Sequence, residues 1–150
     1  MKKTVGDLSG AERLVTRVEQ LKPGALPLWG KMNPTEMLLH CNATNQSILK
    51  WEGKIRKATT RQKLLKFVWL NVNFSFPKNV KGVKKFDMKG LGDSDIFEGE
   101  RKSFIDIVRK FPHRRQPLIS PHPFFGPLNT AEWGRVIWKH LDHHLRQFGV

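Results

Sequence analysis

The chain lacks several features that would assign it to a common class of protein. It has one cysteine, Cys41, so an internal disulfide framework is excluded and a reducing, cytoplasmic location is expected. No apolar run approaches the length of a membrane span. Residues 1–7 have no apolar run behind their charges, so we expect no signal peptide. No helix-turn-helix, zinc-finger or RNP-type motif occurs, and we expect no nucleic-acid partner.

Acidic residues are also scarce. The chain has 13 Asp and Glu against 27 Lys and Arg, which gives a net charge of +14. Much of this excess lies in residues 50–90, here called the basic segment. It has 12 Lys and Arg against Glu52 and Asp87, a net charge of +10. Such a segment attracts nucleic acid, an anionic membrane surface or an anionic substrate, or it serves only to keep the protein soluble.

The 150 residues predict one globular domain that spans the whole chain. Apolar residues make up 39% of the sequence, which is enough for a packed core. Apolar residues recur mainly with helical spacing, and alternating strand patterns are rare. The sequence therefore predicts an all-α fold of four or five helices in a bundle.

The predicted helices span residues 9–21, 34–51, 60–72, 96–111 and 130 to about 148. Between the third and fourth helices, residues 73–95 read as a long loop. Residues 120–129 are rich in Pro and Gly, and we expect them to be irregular.

Three helix starts have the sequence of a capping box. Asn33-Pro-Thr-Glu36 and Asn129-Thr-Ala-Glu132 each place a capping residue three positions before a glutamate. Ser9 and Glu12 have the same spacing at the start of the first helix. At the end of the last helix, Gly149 is a typical closing residue.

His140 and His144 are the most informative pair in the sequence. At about 100° per residue the two rings lie roughly 40° apart on one helical face, one turn from each other, and together they can bind a metal ion. The same sector holds apolar residues, so both rings should point toward the core. The pair is not the HExxH motif of zinc proteases, because Leu141 follows His140 and no glutamate lies between the histidines.

A third histidine, His40, lies in the second predicted helix. Three histidines from two facing helices of a bundle would leave an open coordination position, as catalytic metals require. The alternative is that these are buried histidines hydrogen-bonded to the backbone.

Other residues are candidates for the wall of a pocket. Thr44 shares the face of His40, Trp133 lies on the stripe of His140, and Gln147 is one turn beyond His144. His122, between two prolines, is either an acid or base at the pocket mouth or an ordered loop residue.

Three further residues are expected outside the metal site. His143 falls to the side of the metal-binding stripe and is expected at the surface or behind the ligands. His113, beside two arginines, is expected at the surface, and Cys41 is expected to be a small buried apolar residue.

Two stretches resemble the DinB/YfiT-like superfamily of metalloenzymes. One is residues 29–41 (WGKMNPTEMLLHC), and the other runs from residues 122–126 (HPFFG) to residues 139–149 (KHLDHHLRQFG). Both also resemble a bacterial subfamily of undefined function. Together they cover about a third of the chain, and the helix order agrees across most of the rest.

The resemblance implies a fold, a cofactor and a chemistry. The fold would be an up-down-down-up four-helix bundle. His40, His140 and His144 would hold a divalent metal, nickel or zinc. Characterised relatives include transferases and isomerases that use a low-molecular-weight thiol, which the metal is thought to activate. Relatives are often dimers, so a homodimer is also implied.

Two functions remain open from the sequence, and a third, hydrolysis by a metal-bound water, needs a general base that the sequence does not identify. The first is a metal-dependent enzyme, a thiol-dependent transferase acting on a small molecule. Its activity should be lost with His144→Ala. The second is a non-catalytic protein that binds a ligand or an acidic partner through the basic segment. It should instead be sensitive to Lys84→Glu with Lys85→Glu.

Overall fold

The computed structural model describes residues 3–55, 57–71, 76–79 and 82–150, and it is mostly helical. Within those residues the helices are α1 (Leu8–Val18), α2 (Pro34–Leu49), α3 (Thr60–Asn71), α4 (Phe97–Lys110) and α5 (Thr130–Gln147). Two short 3-10 turns, Lys84–Phe86 and Ser94–Ile96, lie between α3 and α4. The expectation of a mostly helical chain is confirmed.

A small antiparallel sheet lies between α4 and α5. Its strands are β1 (Pro121–His122) and β2 (Gly126–Pro127), with His122 opposite Gly126. The prediction that residues 120–129 are irregular is therefore wrong over these four residues. Gly126 has a φ of 68°, a left-handed conformation that glycine adopts without strain and that helps the chain reverse despite its prolines.

Both asparagine caps form as the sequence predicts. The Asn33 side chain accepts a hydrogen bond from the Glu36 amide, and the Glu36 carboxylate accepts one from the Asn33 amide. Asn129 and Glu132 make the same pair of bonds at the start of α5. These bonds satisfy amides that have no partner within the helix, so they fix where α2 and α5 begin.

The predicted cap of α1 is wrong. The helix begins at Leu8, because the Asp7 carboxylate accepts a 2.6 Å hydrogen bond from the Gly10 amide. Aspartate caps at least as well as serine, and here it lies earlier in the chain. Glu12 instead pairs with Arg109 on α4.

The other helix boundaries agree with prediction to within about three residues. α3 ends at Asn71, and the predicted last residue, Val72, lies outside the described residues. Part of the predicted loop over residues 73–95 also lies outside them. α5 has 18 residues, and no helix in the described ranges is long and apolar enough to cross a membrane.

The core lies among α1, α2, α4 and α5. α1 and α2 each contact both α4 and α5. On α4, Phe97, Phe104, Ile107 and Val108 are buried, and Ile105 is only partly buried. This packing places the middle of α2 beside the last turns of α5, where the candidate ligands lie.

α3 is packed differently from the other four helices. None of its residues is buried, and it lies against β2. Lys66 also pairs with Glu132 near the start of α5, at 3.2 Å. α3 is therefore an addition to the side of the core.

Candidate metal centre

His40 of α2 and His140 and His144 of α5 meet in space as their spacing predicts. One ring nitrogen from each residue lies within 4.8 Å of the other two. The ring centroids are 4.7 to 5.2 Å apart, and each pair of rings meets edge to face. Among the described residues, this is the group of metal-binding side chains that converges on one point.

His40 is held by a backbone carbonyl from the loop before α4. Its Nδ1 lies 2.8 Å from the carbonyl oxygen of Phe86. A carbonyl oxygen only accepts hydrogen bonds, so Nδ1 carries the proton and Nε2 keeps its lone pair. That lone pair is the one that faces α5.

His144 is held in the same way by a side-chain amide. Its Nδ1 lies 3.1 Å from Oε1 of Gln147. The amide nitrogen of Gln147 donates a 2.7 Å hydrogen bond to the carbonyl oxygen of Trp29, which fixes the orientation of the amide. His144 therefore donates from Nδ1, and its Nε2 is left as a metal ligand.

His140 faces His40 directly. The two Nε2 atoms are 3.1 Å apart. Because Nε2 of His40 has no proton, the two atoms repel each other unless a proton or a cation lies between them. In the apo protein that proton lies on Nε2 of His140, which donates to His40, and a bound divalent cation would take its place.

All three rings are held in the neutral form that binds metal. Burial is the main cause of the lowered pKa of each, and it lowers the pKa of His144 to about 3. The neighbouring histidines lower the pKa of His140 further, well below its usual value. Metal ligation requires deprotonated imidazole, so little proton release accompanies binding near neutral pH.

The donor set fits a divalent transition metal. Three neutral imidazoles suit zinc, nickel, copper or iron, and the group includes no carboxylate of the described residues. Zn–N bonds of about 2.0–2.1 Å place two ligands of a tetrahedral ion about 3.3 Å apart. The 3.1 Å separation of His40 and His140 is close to that value.

His122, the predicted acid or base, lies on β1. Its Nδ1 accepts hydrogen bonds from the amides of Phe124 and Phe125, at 3.2 and 3.3 Å. Nε2 therefore carries the proton. Burial lowers the pKa of His122 to about 4, and its charge would lower the pKa of His140. The ring is thus an ordered hairpin residue near the metal site, with one nitrogen available as a donor.

The predicted pocket residues differ in their surroundings. Trp133 is buried, and its indole N–H donates to the carbonyl of Ser120 at 2.8 Å, so its polar atom is already used. The hydroxyl of Thr44 is buried and has no hydrogen-bond partner in the described part of the chain. Gln147 is 2% exposed and orients His144.

The prediction allowed His143 a surface position, and the structure excludes it. His143 is 9% exposed, and its ring contacts those of Trp29, Phe76 and His144. It lies beside the ligands because the loop that carries Trp29 covers that side of α5. By contrast, His113 is exposed and Cys41 is fully buried, as predicted.

Two groups of the site were missed from the sequence, the carbonyl of Phe86 and the indole of Trp29. A backbone carbonyl carries no side-chain signal. The indole N–H of Trp29 is buried without a partner in the described residues, and its ring lies 5.5 Å from that of His143. The one sequence signal for Trp29 is that it is the first residue of the stretch 29–41, which resembles the DinB/YfiT-like superfamily.

An aromatic group flanks the three histidines on the side of α3. The ring centroid of Phe76 lies 6.1 Å from that of His140, and the ring centroid of Trp69 lies 5.1 Å from those of Phe76 and Phe125. The ammonium of Lys139 lies 4.4 Å from the centre of the Trp69 ring, and that of Lys78 lies 4.6 Å from the centre of the Trp29 ring. The surroundings of the site are therefore aromatic and cationic.

Cys41 is not part of this chemistry. Its thiol lies 3.7 Å from the sulfur of Met37, and burial raises its pKa far above the usual value. A protonated buried thiol is neither a nucleophile nor a good metal ligand.

Comparisons with known proteins give a family assignment. No curated protein and no solved structure matches the chain. The family described as "Protein of unknown function (DUF1569)" matches residues 7–149, nearly the whole sequence. The match spans all the described helices and the three histidines, so the chain belongs to the DUF1569 family.

Proposed function

We propose that this protein is a divalent-metal-dependent enzyme of the DinB-like type, in which His40, His140 and His144 hold the metal. The observation that carries the proposal is the convergence of three neutral imidazoles from two helices, two of them with their outer nitrogens already engaged. Engaging the outer nitrogen fixes the tautomer and raises the basicity of the ligand. Buried histidines with a purely structural role do not need to face one another in this way.

We also propose that α1, α2, α4 and α5 form the up-down-down-up four-helix bundle of that superfamily. The contacts of α1 and α2 with both α4 and α5 support this arrangement. In such bundles, metal sites are built from inward side chains on facing helices. His40 and the pair on α5 meet this condition.

The reaction that fits the site best is transfer of a group to or from a low-molecular-weight thiol. A divalent metal with an open position would supply one effect, lowering the pKa of a bound thiol so that it is nucleophilic near neutral pH. Three imidazoles bring no negative charge, so the positive charge of the ion is not offset by its ligands. This combination favours an anionic ligand at the open position.

The chain's own residues would select an acidic thiol and an aromatic or apolar small molecule. Lys85 lies beside the residue that holds His40, and its ammonium is 3.4 Å from the hydroxyl of Ser47 on α2. Lys78 and Lys139 lie over the aromatic rings near the site. Low-molecular-weight thiols carry carboxylates, which these ammonium groups attract. His122 would donate a hydrogen bond from Nε2 to the substrate.

Metal analysis of the protein purified without a histidine tag tests the proposal. We expect near-stoichiometric nickel, zinc or another divalent metal in the parent protein, and loss of that metal in His40→Ala with His140→Ala and His144→Ala. His113→Ala removes an exposed histidine away from the site and is the matched control. A well-folded parent that neither carries nor takes up added metal overturns the proposal.

Thiol chemistry needs a separate assay. The metal-loaded protein should consume a thiol in the presence of an aromatic electrophile, and His144→Ala should abolish this with little change in the circular dichroism spectrum. Raising the salt concentration should raise the KM for an acidic thiol, because it screens the lysines. Stoichiometric metal with no turnover of any thiol would retain the metal site and refute the transferase assignment.

A further inference from the structure

The outer side of α3 exposes large apolar side chains. Leu64 is 65% exposed and Phe67 is 66% exposed. Leu65 and Val68, at 40% and 41%, flank them. At about 100° per residue, Phe67, Leu64 and Val68 lie within one sector of roughly 100°. Soluble proteins rarely expose such contiguous apolar groups without a partner for them.

The inner side of the same helix already has its partner. Trp69 contacts Phe125 at a ring distance of 5.1 Å, and Gln62 and Lys66 each approach a backbone carbonyl of the hairpin segment. α3 thus has apolar residues on both sides, but the described protein covers only one.

The charge around α3 indicates what its outer side contacts. Residues 53–86 contain ten Lys and Arg and no Asp or Glu. Lys57, Arg61 and Lys63 are exposed at or just before the apolar sector. An exposed apolar sector bordered by basic residues matches the two contacts that an anionic bilayer surface offers, burial of apolar groups and attraction to phosphates.

We propose that α3 docks this protein on an anionic lipid surface. Leu64, Phe67 and Val68 would enter the boundary between headgroups and acyl chains, and the basic residues would contact lipid phosphates. A second copy of the chain is a poorer partner, because two segments with a net charge of +10 repel each other. Nucleic acid would pair with the basic residues but would leave the apolar side chains in water. The proposal uses none of the three histidines and does not depend on the metal.

Flotation of the full-length protein with vesicles is the first test. Vesicles of phosphatidylcholine with phosphatidylglycerol should carry the protein upward, and vesicles of phosphatidylcholine alone should carry much less. Leu64→Gln with Phe67→Gln keeps helix-forming residues and should weaken binding about tenfold or more. Leu26→Gln with Leu91→Gln removes two exposed leucines elsewhere, 85% and 61% exposed, and should leave binding unchanged.

Charge reversal tests the electrostatic part. Lys57→Glu with Lys63→Glu should weaken binding about fivefold or more for each reversed residue. The control, Lys22→Glu with Lys102→Glu, changes the net charge equally at exposed positions outside the basic segment. Binding that falls equally in both pairs would come from the total charge of the protein and would overturn the role of α3.

Three other results would also overturn the proposal. One is the absence of binding to anionic vesicles at low salt. A second is a dimeric parent that becomes monomeric with Leu64→Gln and Phe67→Gln while its binding to vesicles stays unchanged. That result would make this side of α3 an interface between two copies of the chain. The third is tighter binding to an acidic peptide than to vesicles. Metal content should be the same in every variant, which separates this test from that of the metal centre.

Discussion

Gln147 links the metal centre to the loop before α2 through two hydrogen bonds, one buried and one partly buried. Its carbonyl accepts from Nδ1 of His144 at 3.1 Å, and its amide donates to the carbonyl of Trp29 at 2.7 Å. Gln147→Met keeps a side chain of similar length and removes both bonds. The change should therefore free the ring of His144 without opening a cavity.

Two magnitudes follow for Gln147→Met. Loss of the partner that orients a metal-binding histidine typically weakens metal binding 10- to 100-fold, or about 1.4–2.8 kcal/mol. In the apo form of this variant, the ring N–H of His144 and the carbonyl oxygen of Trp29 also lose their partners, which should lower the free energy of unfolding by about 1–3 kcal/mol for each group. Gln147→Glu should separate the effects, because its carboxylate still accepts from His144 but cannot donate to Trp29.

The assay is competition for zinc against a chromophoric chelator near neutral pH, beside urea unfolding of the apo protein. We expect Gln147→Met to lose both affinity and stability, and Gln147→Glu to lose mainly stability. Gln46→Met, at an exposed position of α2, should lose neither. Parent-like zinc affinity in a folded Gln147→Met variant would refute the argument that this amide sets the tautomer of His144.

Three further changes test other parts of the structure, each by urea unfolding of the apo protein. Gly92→Ala should destabilise the protein by about 1–3 kcal/mol, because a Cβ at position 92 would lie 2.5 Å from the side chain of Glu36. Gly82→Ala should have little effect, because a Cβ at position 82 meets no atom within 4 Å. His122 alone should remove about 1.4 kcal/mol of stability per pH unit as pH falls from 6.5 to about 4, because the folded state keeps it neutral while the unfolded state binds a proton. The three metal-site histidines, whose pKa values are also lowered by burial, add to this slope. His122→Asn should make that slope shallower, and an unchanged slope would contradict the burial of this ring. Arg17→Ala breaks a half-buried ion pair of 2.6 Å with α5 and should cost about 1–2 kcal/mol, whereas Arg109→Ala breaks an exposed pair and should cost less.

Local sequence patterns predicted the parts of the structure that depend on neighbouring residues. The capping boxes at Asn33 and Asn129 form because cap and glutamate are three residues apart. His140 and His144 share a face because they are one turn apart. Each of these contacts is decided by helix geometry alone, so the sequence is sufficient to predict it.

Contacts across long stretches of chain could not be predicted in the same way. The bond from His40 to the Phe86 carbonyl spans 46 residues, and that from Gln147 to the Trp29 carbonyl spans 118. Both acceptors are backbone atoms, which every residue has. His143 shows the same difficulty, because a helical projection gives its direction but not the loop that covers it. The hairpin at Gly126 depends on a single left-handed residue within a proline-rich stretch.

Glu36 joins the start of α2 to the loop that orients His40. One carboxylate oxygen caps α2 at the Asn33 amide, and the other accepts a 2.6 Å hydrogen bond from the Gly90 amide, four residues after Phe86. Neither oxygen is among the metal-binding atoms of the site. Even so, in a saturation mutagenesis selected for retained metal, position 36 should be sensitive to substitution although it contributes no ligand. The positions sensitive to substitution would then extend from the three ligands, along the loop that carries Phe86, to the first turn of α2. Sensitivity at position 36 would come from a helix cap and not from a fourth metal ligand.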